Sequence, residues 1–266
     1  MFFKFKWFPL NIFFKERMMP RLSFFFFSVL IVTLCGCSSQ TVVPSAKQAG
    51  VYFQEGEDFF EQGLYNDAIA SWEKVRDSYY SPELNTLAEL KIAEAYFLSE
   101  KYLEAAVAYE EFLKNHPDHP QVPDVLYQLG LSYINQMLSY DQDQTATIQA
   151  LNAFRTLKQR FPDYRRSEEV SIYIDRCLNQ LAANELYIGT YYLKSKSYKA
   201  AMLRFEGILK RYPNYFERDK TYYYLGQAYL FNGQREKAVE IFNRLFEEFP
   251  GSEYIISAQK FIADNY

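Results

Sequence analysis

Small and aromatic residues recur along this chain at spacings of three and four, with no alternation of strand type. Those spacings place side chains on one face of a helix. The pattern predicts helices in pairs: 48–63 with 66–79, 83–99 with 102–115, 122–138 with 146–161, 168–195 with 198–211, and 217–232 with 235–248. A last helix over 253–264 is expected to cap the stack.

A small residue is followed three positions later by an aromatic at Gly56/Phe59, Ala93/Tyr96, Gly130/Tyr133, Gly189/Tyr192 and Gly226/Tyr229. Twelve positions after the small residue stands Ala68, Ala105, Ala201 or Ala238, and four further on Trp72, Tyr109, Phe205 or Phe242. Pro117, Pro213 and Pro250 close three of the units, because proline cannot continue a helix. The third unit keeps Ala150, Phe154 and Pro162, displaced by eight residues. The small residues at 56, 93 and 130 lie 37 apart, as do those at 189 and 226. Gly56, Ala93, Gly130, Gly189 and Gly226 are therefore expected to let paired helices approach closely, with Phe59, Tyr96 and Tyr133 filling the joints as core.

The order Leu225, Gly226, Tyr229, Ala238, Phe242, Pro250 resembles the tetratricopeptide repeat. The implied fold is all-α: a tetratricopeptide-like right-handed superhelix of five hairpins plus a C-terminal capping helix. Ser81-Pro82-Glu83 and Ser167-Glu168-Glu169 read as helix starts, and Asn232-Gly233 as a tight turn. Residues 139–145 read as a polar, exposed insert in the third hairpin. Arg165–Gln180 is expected to fuse with the next repeat into a helix of about 28 residues and 40 Å. That helix would join an N-terminal lobe of three repeats, 47–162, to a C-terminal lobe, 163–266.

The first 36 residues read as an address rather than a fold. Leu22–Leu34 is apolar except for Ser23, Ser28 and Thr33, and follows basic residues. A span of 13 residues is short for crossing a bilayer and fits the core of a secretory leader. It ends in Leu34-Cys35-Gly36-Cys37, which resembles a bacterial lipobox, so Cys37 is expected to carry a covalent lipid after cleavage, followed by a tether to residue 46. Met18 and Met19 are alternative starts. Ser38 in place of aspartate favours the outer membrane, by resemblance to lipoprotein sorting rules. The expected location is therefore its periplasmic face.

The chain has three cysteines, but loss of Cys35 and lipidation of Cys37 leave Cys177 without a disulfide partner. Its place among Ile172, Ile174, Leu178 and Leu181 suits a buried structural thiol. Net charge is −4 for the whole chain, and residues 1–36 carry five basic residues against Glu16. The body is thus more acidic than the whole, which excludes a nucleic-acid footprint. His116 and His119 lack a third metal ligand, and the segment doubles as a helix terminator. Glu110-Glu111 and Glu247-Glu248 read as solvated helix faces. No phosphate loop or nucleophile–base arrangement stands out, so no catalytic residue and no cofactor beyond the lipid are expected.

More specific local sequences follow. Asn115-His116-Pro117-Asp118-His119-Pro120 closes the second repeat, and Asp141-Gln142-Asp143-Gln144 lies in the insert. Then come Arg176-Cys177, Leu181-Ala182, Glu185-Leu186, Ile188-Gly189, Tyr191-Tyr192-Leu193 and Tyr198-Lys199-Ala200-Ala201, with Arg204 beyond. Together these resemble the BamD family, tetratricopeptide lipoproteins of the outer-membrane β-barrel assembly machine, over about residues 48–262. The insert after Leu138 is shorter than in some members, and Tyr80 replaces the proline expected to end the first repeat.

The resemblance implies a non-enzymatic assembly factor. It would bind BamA, a barrel protein with POTRA domains, and unfolded outer-membrane proteins, and other lipoproteins of the machine are possible partners. It places the BamA-docking arginine at Arg204, whose plain alternative is a solvated charge beside Phe205. For a client groove on the N-terminal first helices, Tyr52 and Phe97 are the candidates. The repeat pattern and lipobox taken alone also fit another periplasmic adaptor, one recruiting cell-wall or envelope-constriction proteins.

Overall fold

A computed structural model of the chain describes residues 46–78 and 81–265. Cys37, the leader and most of the tether, and Tyr80 lie outside the described residues. Eleven helices and no strand stand among those described. They are α1 (Ala46–Glu61), α2 (Tyr65–Arg76), α3 (Pro82–Leu98), α4 (Tyr102–Asn115), α5 (Val122–Ile134), α6 (Thr145–Arg160), α7 (Ser167–Lys194), α8 (Tyr198–Arg211), α9 (Arg218–Phe231), α10 (Arg235–Glu248) and α11 (Tyr254–Asn265). They form the all-α tetratricopeptide-like superhelix of five hairpins, each helix packed on the next and α11 laid on α9 and α10.

Local chemistry sets the helix ends. Ser81 Oγ accepts from Leu84 N at 3.4 Å, Pro82 opens α3 and Glu83 sits in its first turn. Ser167 differs from expectation: Arg166 occupies the cap position without a side-chain bond, and Ser167 is the first helical residue. Its carbonyl accepts from Ser171 Oγ. Four second helices end on a residue bent out of helical geometry, at His116, Phe161, Tyr212 and Phe249. Each precedes a proline, whose ring excludes the helical conformation from the residue before it.

Four hairpin turns share one construction. Gly63, Glu100, Lys196 and Gly233 have φ of 74°, 60°, 62° and 76°. The next residue donates to the carbonyl five back: Leu64 to Phe59, Lys101 to Tyr96, Ser197 to Tyr192 and Gln234 to Tyr229, each at 2.9 Å. These bonds close the first helix and reverse the chain within three residues.

The third hairpin lacks this turn. Its first helix stops at Ile134, four residues before the expected end at 138. Gln136 Nε2 bonds Ser132 O, the carbonyl that its own backbone N–H would use in a further turn, while Asn135 Nδ2 adds a second bond to Leu131 O. The insert that follows is exposed at 139–143, as expected, but it is tied to the long helix. Gln180 Nε2 donates to Leu138 O at 2.9 Å and Asn184 Nδ2 to Tyr140 O at 2.7 Å.

α7 has 28 residues and serves two apolar clusters. Val170 and Cys177 pack with the third hairpin, and Ala182 and Leu186 with α8–α11. Cys177 is fully buried, which pushes its thiol up to about 11.

Candidate functional site

A protein-holding surface depends first on how rigidly its hairpins close. A Cβ added to Gly56 would lie 2.4 Å from the Trp72 ring. On Gly130, Gly189 and Gly226 it would lie 2.5, 2.4 and 2.5 Å from Phe154, Phe205 and Phe242. A second-helix ring, sixteen positions on in three hairpins and twenty-four in the third, thus lies directly against the glycine backbone. In the second hairpin Ala93 is fully buried in one cluster with Tyr109.

The aromatics three positions after the small residue have another job. Phe59, Tyr96 and Tyr133 are half-buried at the flanks of the apolar clusters rather than core, whereas Tyr229 in the same slot of the fifth hairpin is buried. Tyr133 Oη donates to Glu110 Oε1 at 2.6 Å, and Tyr229 Oη bonds Glu206. Glu110 and Glu206 follow Tyr109 and Phe205 of the preceding hairpin, so these bonds lock neighbouring repeats. Burial, then the carboxylate, raises both tyrosines well above their usual range. Glu110 is accordingly a repeat tie and not simply a solvated acid.

A further repeat position lies four residues before the small one, one helical turn earlier. In the first hairpin it is Tyr52, whose ring lies 4.8 Å under the Lys74 ammonium of the second helix. In the second it is Glu89, 2.9 Å from His116 Nε2. In the fourth it is Glu185, which receives Arg204 Nη1 at 2.9 Å and Arg211 Nη2 at 2.8 Å. In the fifth it is Tyr222, which donates to Glu248 at 3.0 Å and accepts from Arg244 at 2.7 Å. Glu248, expected to be a solvated acid, instead sits between Arg218 and Arg244. In the third hairpin Leu126 takes the place and is buried.

Arg204 is therefore neither free nor simply solvated. Its side chain is 39% exposed and bonded to a Glu185 carboxylate only 13% exposed. That bond outweighs the opposing effect of burial and raises the guanidinium pKa. Two guanidiniums share one carboxylate, so the cluster keeps a positive excess. The one acid of α8, Glu206, is engaged with Tyr229 and does not offset the guanidiniums. Leu203 beside Arg204 is 71% exposed. A cationic patch with an apolar side chain can take an acidic partner surface.

Tyr52 and Phe97 do not share one site. Tyr52 flanks the cluster around Trp72, whereas Phe97 flanks that around Tyr109 and meets Tyr102 edge-on at 5.4 Å. His116 and His119 both pack on Phe112, and His119 Nδ1 accepts from Gln121 N. Among the described residues no group of three His, Cys, Asp or Glu is placed to hold a metal.

The YfiO family, described as outer membrane lipoprotein, matches residues 45–241 of the sequence. The chain belongs to the YfiO family. Relatives in it cover most of this chain and of their own length. Outer membrane protein assembly factor BamD of Caulobacter vibrioides is 27% identical over 241 residues, 89% of this chain and 79% of that one. The protein so named from Rickettsia prowazekii is 26% identical over 88% of this chain and 94% of its own. That of Neisseria meningitidis serogroup A is 26% identical over 85% and 91%.

Sequence reading named Arg204 but missed Glu185, Tyr222 and Glu248 as its structural counterparts. The signal was present: Glu89, Glu185 and Tyr222 all stand four residues before a small residue already identified. Arg204 and Arg211, seven apart, share one face of α8 and call for a carboxylate between them.

Proposed function

We propose that this YfiO-family chain is a non-enzymatic scaffold of outer-membrane β-barrel assembly. It is anchored through lipidated Cys37 to the periplasmic face of the outer membrane. It holds a POTRA-bearing barrel protein of the BamA kind and receives unfolded outer-membrane proteins, promoting their folding and insertion. The observation that carries this reading is the family match over residues 45–241, joined by relatives named outer membrane protein assembly factor. The arrangement of the hairpins suits it, since stacked repeats offer long surfaces to other polypeptides.

Within this reading Arg204 docks the barrel protein through a carboxylate on that partner. Glu185 orients the guanidinium, and Arg211 keeps the pair from neutralising. Tyr52 and Phe97 belong to separate contact points for client segments on the N-terminal lobe, 47–162. The lobe 163–266 carries the docking patch. Cys37 bears the only covalent group the function needs.

The test is affinity recovery of the full chain from membranes of its host. A POTRA-bearing barrel protein should co-purify, and Arg204→Glu should weaken its recovery with helix content unchanged. Recovery of cell-wall hydrolases alone would replace this function with an envelope adaptor. Cys37→Ala should abolish labelling by a lipid precursor.

A further inference from the structure

An open cleft lies on the face of α7 opposite the Arg204 cluster. Its volume is about 650 Å3, and it is walled by α7, α9, Tyr140 of the insert and Phe216 of the α8–α9 loop. Along α7 the lining runs from Arg176 through Ala183 and Tyr187 to Lys194. Those positions return every seven, four and seven residues, so they form a single stripe. Glu185, nine residues from Arg176, points half a turn away. The cleft and the Arg204 patch are thus two faces of one helix.

The chemistry of the stripe is uneven. Tyr140 and Tyr187 are each 48% exposed, pack edge-on at 5.9 Å and offer aromatic faces to the cleft, and Phe216 adds a third ring. Three cations line it. Lys220 is paired with Glu217 at 2.9 Å. Arg176 and Lys194 have no ion pair among the described residues, although the chain as a whole is acidic. The amides are engaged: Gln180 and Asn179 are bonded to Leu138 O and to Phe216 N. What remains for a ligand is cationic at both ends and aromatic between. Arg176 and Lys194 stand 18 residues apart, about 27 Å along the helix, which is the span of about eight residues of extended chain.

We infer that this cleft binds an extended acidic segment of a partner protein, with carboxylates near both ends and apolar or aromatic side chains in the middle. Charge complementarity selects this occupant. A basic segment would meet two unpaired cations, and a purely apolar one would leave them uncompensated. The inference rests on the scaffold reading but names a second face, distinct from the Arg204 patch.

The full chain in detergent should be titrated with a fluorescent synthetic peptide of about eight residues, glutamates at its ends and aromatics at its centre. Binding should weaken at least tenfold in R176E/K194E and by a smaller factor in R176Q/K194Q. It should fall with salt and vanish when lysines replace the glutamates. Both side chains are exposed, so circular dichroism should be unchanged. Equal binding by R176E/K194E, or by the lysine peptide, overturns the inference. So does self-association without peptide binding, which would make a second copy the occupant, or binding of phosphatidylglycerol vesicles without the peptide. The titration needs no native partner. A chain that binds the peptide but recovers no POTRA protein loses the proposed function and keeps the cleft. One that recovers it but ignores the peptide does the reverse.

Discussion

In the fifth hairpin the Phe242 ring lies so close to Gly226 that a Cβ would stand 2.5 Å from it, whereas in the second hairpin Ala93 fills the equivalent place beside Tyr109, itself only 3% exposed. The two hairpins also seal their ends differently. Glu89 meets His116 in the second, while Tyr222 meets Glu248 and Arg244 in the fifth. Their turns differ too, since the left-handed position is Glu100 in one and Gly233 in the other. The repeat fixes where each contact falls, not the chemistry that makes it. A joint tolerates a methyl group only if the facing ring stands away from the backbone.

The largest effect should come from the ring itself. Phe242→Ala empties a fully packed joint and should cost about 3–5 kcal/mol in urea unfolding. A cost under about 1 kcal/mol would mean the joint collapses without the ring.

Gly226→Ala comes next. It should cost about 1–3 kcal/mol by overpacking against Phe242. The reverse change, Ala93→Gly, should cost about 1 kcal/mol through helix propensity instead. If Gly226→Ala proves neutral while Ala93→Gly does not, the two joints are equivalent and the contrast fails.

The turns give a smaller effect of opposite sign. Lys196 holds a left-handed conformation that disfavours a side chain, so Lys196→Gly should stabilise the chain by up to about 1 kcal/mol. Its measure is the melting temperature, and a loss of stability would show that Lys196 makes contacts worth more than its strain.

The end seals separate by pH. Burial alone would raise the Glu248 carboxyl, but bonds from Arg244 and Tyr222 and the nearby Arg218 outweigh it and hold the pKa below its ordinary value of 4.5. A depressed folded value stabilises above the unfolded value and loses that contribution as the pH falls through the folded one. The wild-type chain should therefore lose more stability than Glu248→Gln on acidification below 4.5. Parallel melting curves would count against the ion cluster as a seal.

How legible this was follows from the range of each interaction. Ten of the eleven helices lie within two or three residues of positions expected from spacing, prolines and caps. The exception is α5, where Asn135 and Gln136 turn back on the last carbonyls, a choice that composition does not reveal. The half-burial of Tyr96 and Tyr133 was also hidden. A small residue followed by an aromatic suggests a joint filled by both, yet the slot is half-buried at Tyr96 and Tyr133 and buried at Tyr229. Arg204 stood out by resemblance, but its Glu185 partner required the repeat offset to be read as well.

The sequence by itself determined the helices, the five joints and the family, because helix period, proline sterics and glycine size act over a few neighbouring residues. Only the tertiary structure decided that Arg204 and Arg211 both close on Glu185 and that the Arg176–Lys194 stripe of α7 lines an open cleft with α9 and the insert. Those outcomes depend on residues tens of positions apart meeting in space, and no local pattern encodes the angle at which one helix lies on the next.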